Sequence, residues 1–222
     1  MTAKEPCRTI DIAAWSRKKH FKLYSEHAHP YVGLTTRLDI TDFYRKCAQH
    51  GLAFSSAFLF LTIKAVNSIE NFRYRLNKDG SVCLYRQTGC SYTALDKSTE
   101  LFYFAYVDPL EDPKNFCSEV KKASQKAITD KYLANERRDV FYFSAVPWVD
   151  FTQIIQPLFH APDGYVPIIT TGKHTKDGAL KTMPVSCLAH HGFVDGLHIG
   201  RFFSELASLM ETFDFGKGSY ES

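Results

Sequence analysis

The sequence predicts an α+β domain on a mostly antiparallel sheet, and three observations carry that prediction. Two Asp-Gly turns, Asp79-Gly80 and Asp177-Gly178, each stand between strand-like runs, the mark of a hairpin. Further strand-like runs cluster between the hairpins instead of alternating regularly with helices. Two long stretches, residues 113–132 and 199–213, repeat apolar residues at helical spacing.

Taken in order, residues 15–24 read as a short helix. Asp39-Ile40-Thr41-Asp42 opens a second, capped by Asp39 or Thr41 and ended before Gly51. Residues 55–69 are apolar on nearly every face, which marks a buried helix. The first hairpin joins residues 72–76 to 82–86, and single strands follow at 91–95, 101–107 and 140–146. Between the last two, the helix over 113–132 sets Phe116, Val120, Ala123 and Ala127 in one stripe. The second hairpin joins residues 166–174 to 180–190. At the C-terminal end Ile199, Phe202, Phe203, Leu206, Leu209, Met210 and Phe213 repeat the helical stripe.

With 222 residues, 45% of them apolar and 23% charged, the chain buries a full core without metal or disulfide staples. No linker, repeat or low-complexity tract interrupts it, so residues 1–222 read as a single domain. A net charge of +3 argues against nucleic acid or an anionic membrane as the main partner. No apolar run approaches the roughly 20 residues of a membrane span, and residues 1–9 lack the apolar stretch of a signal peptide. Six cysteines without a Cys-x-x-Cys pair read as reduced thiols of a cytoplasmic protein.

The stretch that carries chemistry is His190-His191-Gly192-Phe193-Val194-Asp195-Gly196, where a long strand ends and the last helix begins. A neutral imidazole there takes a proton at physiological pH and returns it later. Asp195, four residues after His191, accepts from the ring, pairs with an arginine or caps the helix. His190, His191 and Asp195 could also supply metal ligands, but adjacent residues at a strand end point to opposite faces, so both histidines would rarely reach one ion. No metal is expected.

This segment, continued through Leu197-His198, resembles the His-His-x-x-x-Asp-Gly-x-His active-site segment of the chloramphenicol acetyltransferases. Trp15-Ser16-Arg17-Lys18-Lys19-His20-Phe21 is similar to that family's N-terminal helix, Ser144-Ala145-Val146-Pro147-Trp148 to its central Ser-Ala-x-Pro-Trp segment, and Pro167-Ile168-Ile169-Thr170 to the strand before its last hairpin. The resemblance covers nearly the whole chain. It implies a two-layer sandwich of a mostly antiparallel or mixed sheet with helices, the CoA-dependent acyltransferase fold. It also implies a homotrimer with active sites between subunits, fed by acetyl-CoA as a co-substrate and by a small-molecule acceptor, with no permanently bound cofactor.

Matched by position, the resemblance makes His191 the general base, Ser144 the donor to the oxyanion, and Thr170 a residue that helps hold the intermediate through water. Asp195 and Arg17 match a buried pair that keeps the active-site turn in shape. Tyr24 and Phe102 match acceptor-pocket residues, and of Tyr142 and Phe143, just before Ser144, one should face the cleft. The pocket loop is expected at residues 24–32, with small residues at Ala28 and Val32. On the nucleotide side Ala53 and Ser55 replace a Lys and a Tyr of better-known members. There Lys173 would meet a phosphate and His174 would stack on adenine. Glu136-Arg137-Arg138 reads as a solvated loop. The chemistry implied is acetyl transfer to a hydroxyl of chloramphenicol or a similar molecule. The same chemistry on another acceptor, or a silent trimeric ligand-binding protein, are the alternatives.

Overall fold

The structure is a computed structural model, and it describes residues 7–133, 137–158 and 165–214. Glu136 and part of the N-terminal stretch lie outside the described residues.

Strand β1 (Cys7–Thr9) leads to helix α1 (Lys18–Ser25) and strand β2 (Tyr31–Asp39). Helix α2 (Thr41–Gln49) follows, its first free N–H, at Thr41, bonded to Asp39 Oδ1 at 2.9 Å. Asp39 therefore serves the helix end from one residue outside the cap, which Ile40 occupies. Helix α3 (Phe54–Ser68) is buried from Ala57 to Val66 save for Lys64, as apolar residues on nearly every face require.

A 3₁₀ turn (Glu70–Arg73) precedes the hairpin of β3 (Tyr74–Leu76) and β4 (Val82–Tyr85). Gly80 sits in its turn at φ +83, a conformation that costs glycine nothing. Strands β5 (Gly89–Asp96) and β6 (Leu101–Val107) come next, then helix α4 (Pro113–Asp130), opened by Asp112, whose carboxylate accepts from the Asn115 N–H. Strand β7 (Val140–Val146) leads towards β8 (Ile168–Gly172). Beyond it lie β9 (Thr175–Asp177), the long β10 (Leu180–His190) and helix α5 (Gly196–Thr212).

The second hairpin departs from expectation. Its Asp-Gly turn joins β9 to β10, while the first arm breaks at Lys173 and His174, so β8 and β9 pair with different stretches of β10. Strand β2 is also unanticipated.

The strands form a small sheet, β1-β4-β3, and a large mixed sheet in the order β2-β10-β8-β7-β5-β6, to which β9 adds through β10. Pairing within the large sheet is antiparallel except for β5–β7 and β7–β8, which are parallel. Helix α4 packs on β5 and β6, α5 lies against β2, and α3 packs between α4 and α5. Phe143, Ile169 and Cys187 point into that helical layer and belong to the core.

Arg75, only 2% exposed, ties the two sheets together. Its guanidinium donates to the carbonyls of Phe72 at 2.8 Å, Tyr74 at 2.7 Å, Arg138 at 3.0 Å and Val140, the first residue of β7. Burial pulls its pKa down to about 10, which still leaves it charged at neutral pH.

Candidate functional site

Three groups of side chains emerge. The first is built on the turn from β10 into α5. The His191 N–H donates to the Pro30 carbonyl at 2.8 Å, which ties the turn to the start of β2. Arg17, just ahead of α1, reaches into it with four bonds. Nη1 and Nη2 grip the Asp195 carboxylate at 2.7 and 2.9 Å, Nε meets the Gly192 carbonyl at 3.1 Å, and Nη2 also meets the His191 carbonyl at 3.2 Å. This two-pronged grip holds the Asp195 pKa below the usual carboxylate range.

Of the three roles open to Asp195, the arginine pair takes the carboxylate, and the residue also occupies the N-cap of α5. Its backbone N–H is received by His198 Nδ1 at 2.9 Å, which fixes that ring neutral with its proton on Nε2. Burial, reinforced by the nearby Arg17 charge, lowers the His198 pKa accordingly.

His191 Nδ1 lies 3.0 Å from the Val194 carbonyl and 3.3 Å from Asp195 Oδ1. A carbonyl only accepts, so Nδ1 carries a proton, and in the neutral ring Nε2 is the nitrogen with the lone pair. Tyr24 stacks on the ring with centroids 4.0 Å apart and planes 13° from parallel. Backbone, carboxylate and phenol thus set both the tautomer and the aim of the imidazole.

His190 points the other way, into an aromatic nest. Tyr165 stacks on it at 3.7 Å, and Phe21, Tyr31 and Phe193 surround it. Its Nδ1 accepts the Gly192 N–H, and a Cβ at Gly192 would come within 2.9 Å of that ring, so the turn requires glycine. Burial pushes the His190 pKa down to about 4, and its Nε2–H finds no acceptor among the described residues. The two histidines therefore serve opposite faces.

The second group lies on the face of the large sheet turned away from the helices. Ser144 pairs with Thr170, Thr170 with Ser186, and Ser186 with Thr35. Thr93 extends the row one step beyond the last β5–β7 pair. Side chains of paired residues share a face, so this register lines up hydroxyls across five strands. Tyr142, two residues before Ser144, shares that face, whereas Phe143 faces the core and is corrected from a pocket residue to a packing one. Thr170 is buried, and its Oγ1 accepts from Gln156 Nε2 at 2.9 Å. Phe102, half exposed at the start of β6, packs on Phe104 with centroids 5.7 Å apart.

Lys173 and His174 form a third group beyond β8, both exposed. His174 meets Tyr44 edge-on at 5.3 Å and Phe54 at 6.4 Å, while Lys181 Nζ sits 3.8 Å above the Tyr44 ring. Tyr44 and Lys181 give this corner an aromatic and basic character that Ala53 and Ser55 do not.

Arg17, Tyr24, His191 and Asp195 are thus gathered into one cluster, but Ser144 and Thr170 are not part of it. His190 lies four residues beyond Ser186 on β10, about 14 Å along the strand at ~3.4 Å per residue, and His191 lies farther still. The supposed pocket loop at 24–32 is a loop only in its middle, since Tyr24 belongs to α1 and Tyr31 and Val32 to β2. Arg137 and Arg138 are likewise tethered, the first to Asp108 and Asp139, the second to the Leu76 carbonyl at 2.8 Å. Sequence reading missed His198 as the partner of Asp195's N–H and Gln156 as the partner of Thr170. A buried threonine hydroxyl needs a partner, which was the one available hint for Gln156.

Comparison with known proteins gives a consistent result. The family model described as chloramphenicol acetyltransferase matches residues 6–207. A chloramphenicol acetyltransferase of Escherichia coli is 28% identical over 212 residues, 94% of this chain and 95% of that protein. A second from the same organism, chloramphenicol acetyltransferase 2, is 30% identical over 210 residues, 91% and 96% of the two chains. Among solved structures, a chloramphenicol acetyltransferase superposes with a TM-score of 0.80 at 23% identity, covering 92% of this chain and 99% of that one. At that identity the superposition speaks for the fold.

Proposed function

The chain belongs to the chloramphenicol acetyltransferase family and is an acyltransferase, and from that premise we propose that it moves the acetyl group of acetyl-CoA to a hydroxyl of chloramphenicol or a similar small molecule. The observation that carries the proposal is the His191 ring. Its Nδ1–H is committed to the Val194 carbonyl, so Nε2 is free to accept a proton.

In this reading His191 Nε2 takes the acceptor's hydroxyl proton as the oxygen attacks the thioester carbonyl in a ternary complex. The tetrahedral oxyanion that forms is met by the Ser144 hydroxyl, a preorganised donor on a sheet strand. Collapse breaks the carbon–sulfur bond, the acetyl group stays on the acceptor oxygen, and the proton held by His191 passes to the departing thiolate. Thr170 supports the oxyanion through water. Arg17 and Asp195 hold the turn and handle no proton. Tyr142 and Phe102 line the acceptor side, Tyr24 bridges it to the base, and Lys173 with His174 receives the nucleotide end of CoA.

The separation of His191 from Ser144 within one chain supports a homotrimer in which His191 of one subunit meets the hydroxyl row of its neighbour. The chain acts as a single domain in the cytoplasm, where acetyl-CoA is made and where its cysteines, all free thiols in the structure, stay reduced. No single helix among the described residues is long and apolar enough to cross a membrane.

A thiol-release assay with acetyl-CoA, chloramphenicol and a panel of other hydroxylated acceptors tests the proposal. Release that depends on chloramphenicol supports it, release only with another acceptor moves the reading to that molecule, and no release with any acceptor overturns it.

A further inference from the structure

Thr170 is buried in the middle of the hydroxyl row, with Ser144 and Ser186 paired to it on either side. A hydroxyl carries one proton and accepts through two lone pairs. Gln156 Nε2 donates to Thr170 Oγ1 at 2.9 Å, which occupies a lone pair and leaves the threonine's own proton to be given away. Among the described residues nothing takes that proton.

Gln156 is delivered by an anchored segment. Val149 accepts the Lys173 N–H at 2.8 Å, and Asp150 pairs with Arg37 at 2.7 Å. Phe151 is buried against Gly172, where an added Cβ would lie 2.8 Å from its ring. The amide is therefore carried to Thr170 by backbone held at three successive residues.

We propose that Gln156 is a positioning residue: by donating to Thr170 it commits that hydroxyl to act as a donor into the cleft, beside Ser144, where charge develops on the former carbonyl oxygen. The role rests on the acetyl-transfer reading above. A neutral amide suits it, because it donates without adding charge next to a developing anion. A carboxylate of the same shape would reverse the bond: it only accepts, so the Thr170 proton would turn towards it and away from the cleft.

The test is steady-state kinetics on Gln156→Glu, Gln156→Ala, Thr170→Val and the double variants Gln156→Glu/Thr170→Val and Gln156→Ala/Thr170→Val, with acetyl-CoA and chloramphenicol. Gln156→Glu should lower kcat about tenfold and leave KM for acetyl-CoA within about twofold, because the donor is needed when the oxyanion exists. Gln156→Ala should cost less, about threefold, since the freed hydroxyl can still rotate into place. With Thr170→Val as background, the Gln156→Glu loss should shrink to what the added charge alone costs, and the Gln156→Ala loss should disappear. If Gln156→Glu fails to fold, Gln156→Ala measured with and without Thr170→Val decides by the same logic. An active wild type with an unaffected Gln156→Glu, or Gln156→Glu and Gln156→Ala losses that persist undiminished in the Thr170→Val background, overturns the positioning role alone. A wild type that releases no thiol overturns the catalytic reading and this role with it.

Discussion

The turn that carries His191 and the row that carries Ser144 are held in opposite ways. Around His191, Arg17 spends four hydrogen bonds, Asp195 and the Val194 carbonyl flank one ring nitrogen, and Tyr24 covers the ring face. Ser144 has only its place on a strand: among the described residues its hydroxyl has no hydrogen-bond partner. A base must arrive with its tautomer and direction already set, because the wrong nitrogen cannot take the proton. A hydroxyl donor needs its oxygen in place, and the proton can rotate towards charge as it appears. One region uses side chains to fix a side chain, while the other lets the sheet fix the backbone.

Removing each chemical group breaks this comparison most directly. His191→Ala should lower acetyl transfer by on the order of 10²-fold or more while thermal melting stays near wild type, since Arg17 grips the backbone of the turn and not the ring. Retention of most of the activity would remove His191 from the chemistry. Ser144→Ala should lower kcat by about 10²-fold with KM for acetyl-CoA nearly unchanged. A change confined to KM would make the hydroxyl a ground-state contact.

Acid sharpens the contrast, because the turn titrates and the row does not. His190 has a folded pKa of about 4, below its ordinary value of 6.5. The stability it contributes is therefore fully present above pH 6.5 and is lost as pH falls through 4, up to about 3 kcal/mol. Chemical denaturation at a series of pH values should show this slope, and His190→Gln, which keeps an acceptor for the Gly192 N–H, should flatten it. An unchanged slope would place the acid sensitivity elsewhere.

The smallest effects concern the brace. Asp195→Asn and Arg17→Ala should each cost about 1 to 3 kcal/mol, less than a fully buried pair would, because a third of the carboxylate side chain is exposed. The double variant should cost far less than the sum of the singles. Strict additivity in the cycle would show that the two side chains act independently.

What could be read from the sequence divides along the same line. The Asp-Gly turns, the apolar stripe of α4 and the cap at Asp195 were legible because each is decided within a few residues. The family resemblance placed Arg17 with Asp195, a pairing 178 positions apart that no local pattern encodes. Strand β2 was missed because it lies at an edge, carries Gly33 and alternates weakly. The parallel β5–β7–β8 pairing, which creates the hydroxyl row, was illegible because register between distant strands leaves no local signal. Whether Tyr142 or Phe143 faced the cleft had the same cause, and the register resolves it. Gln156 was invisible because residues 147–158 have no period to read.

The buried guanidinium of Arg75 bears on how the molecule would come apart. Its four acceptors are backbone carbonyls, which acid cannot protonate in the working range, and its own proton is held to about pH 10. The joint between the small and large sheets therefore keeps its strength over the interval in which His190 gains a charge. Acidification should open the protein from the turn between β10 and α5 outwards. Amides of the turn should exchange first, and those of β3 and β7 should still be protected after activity has gone.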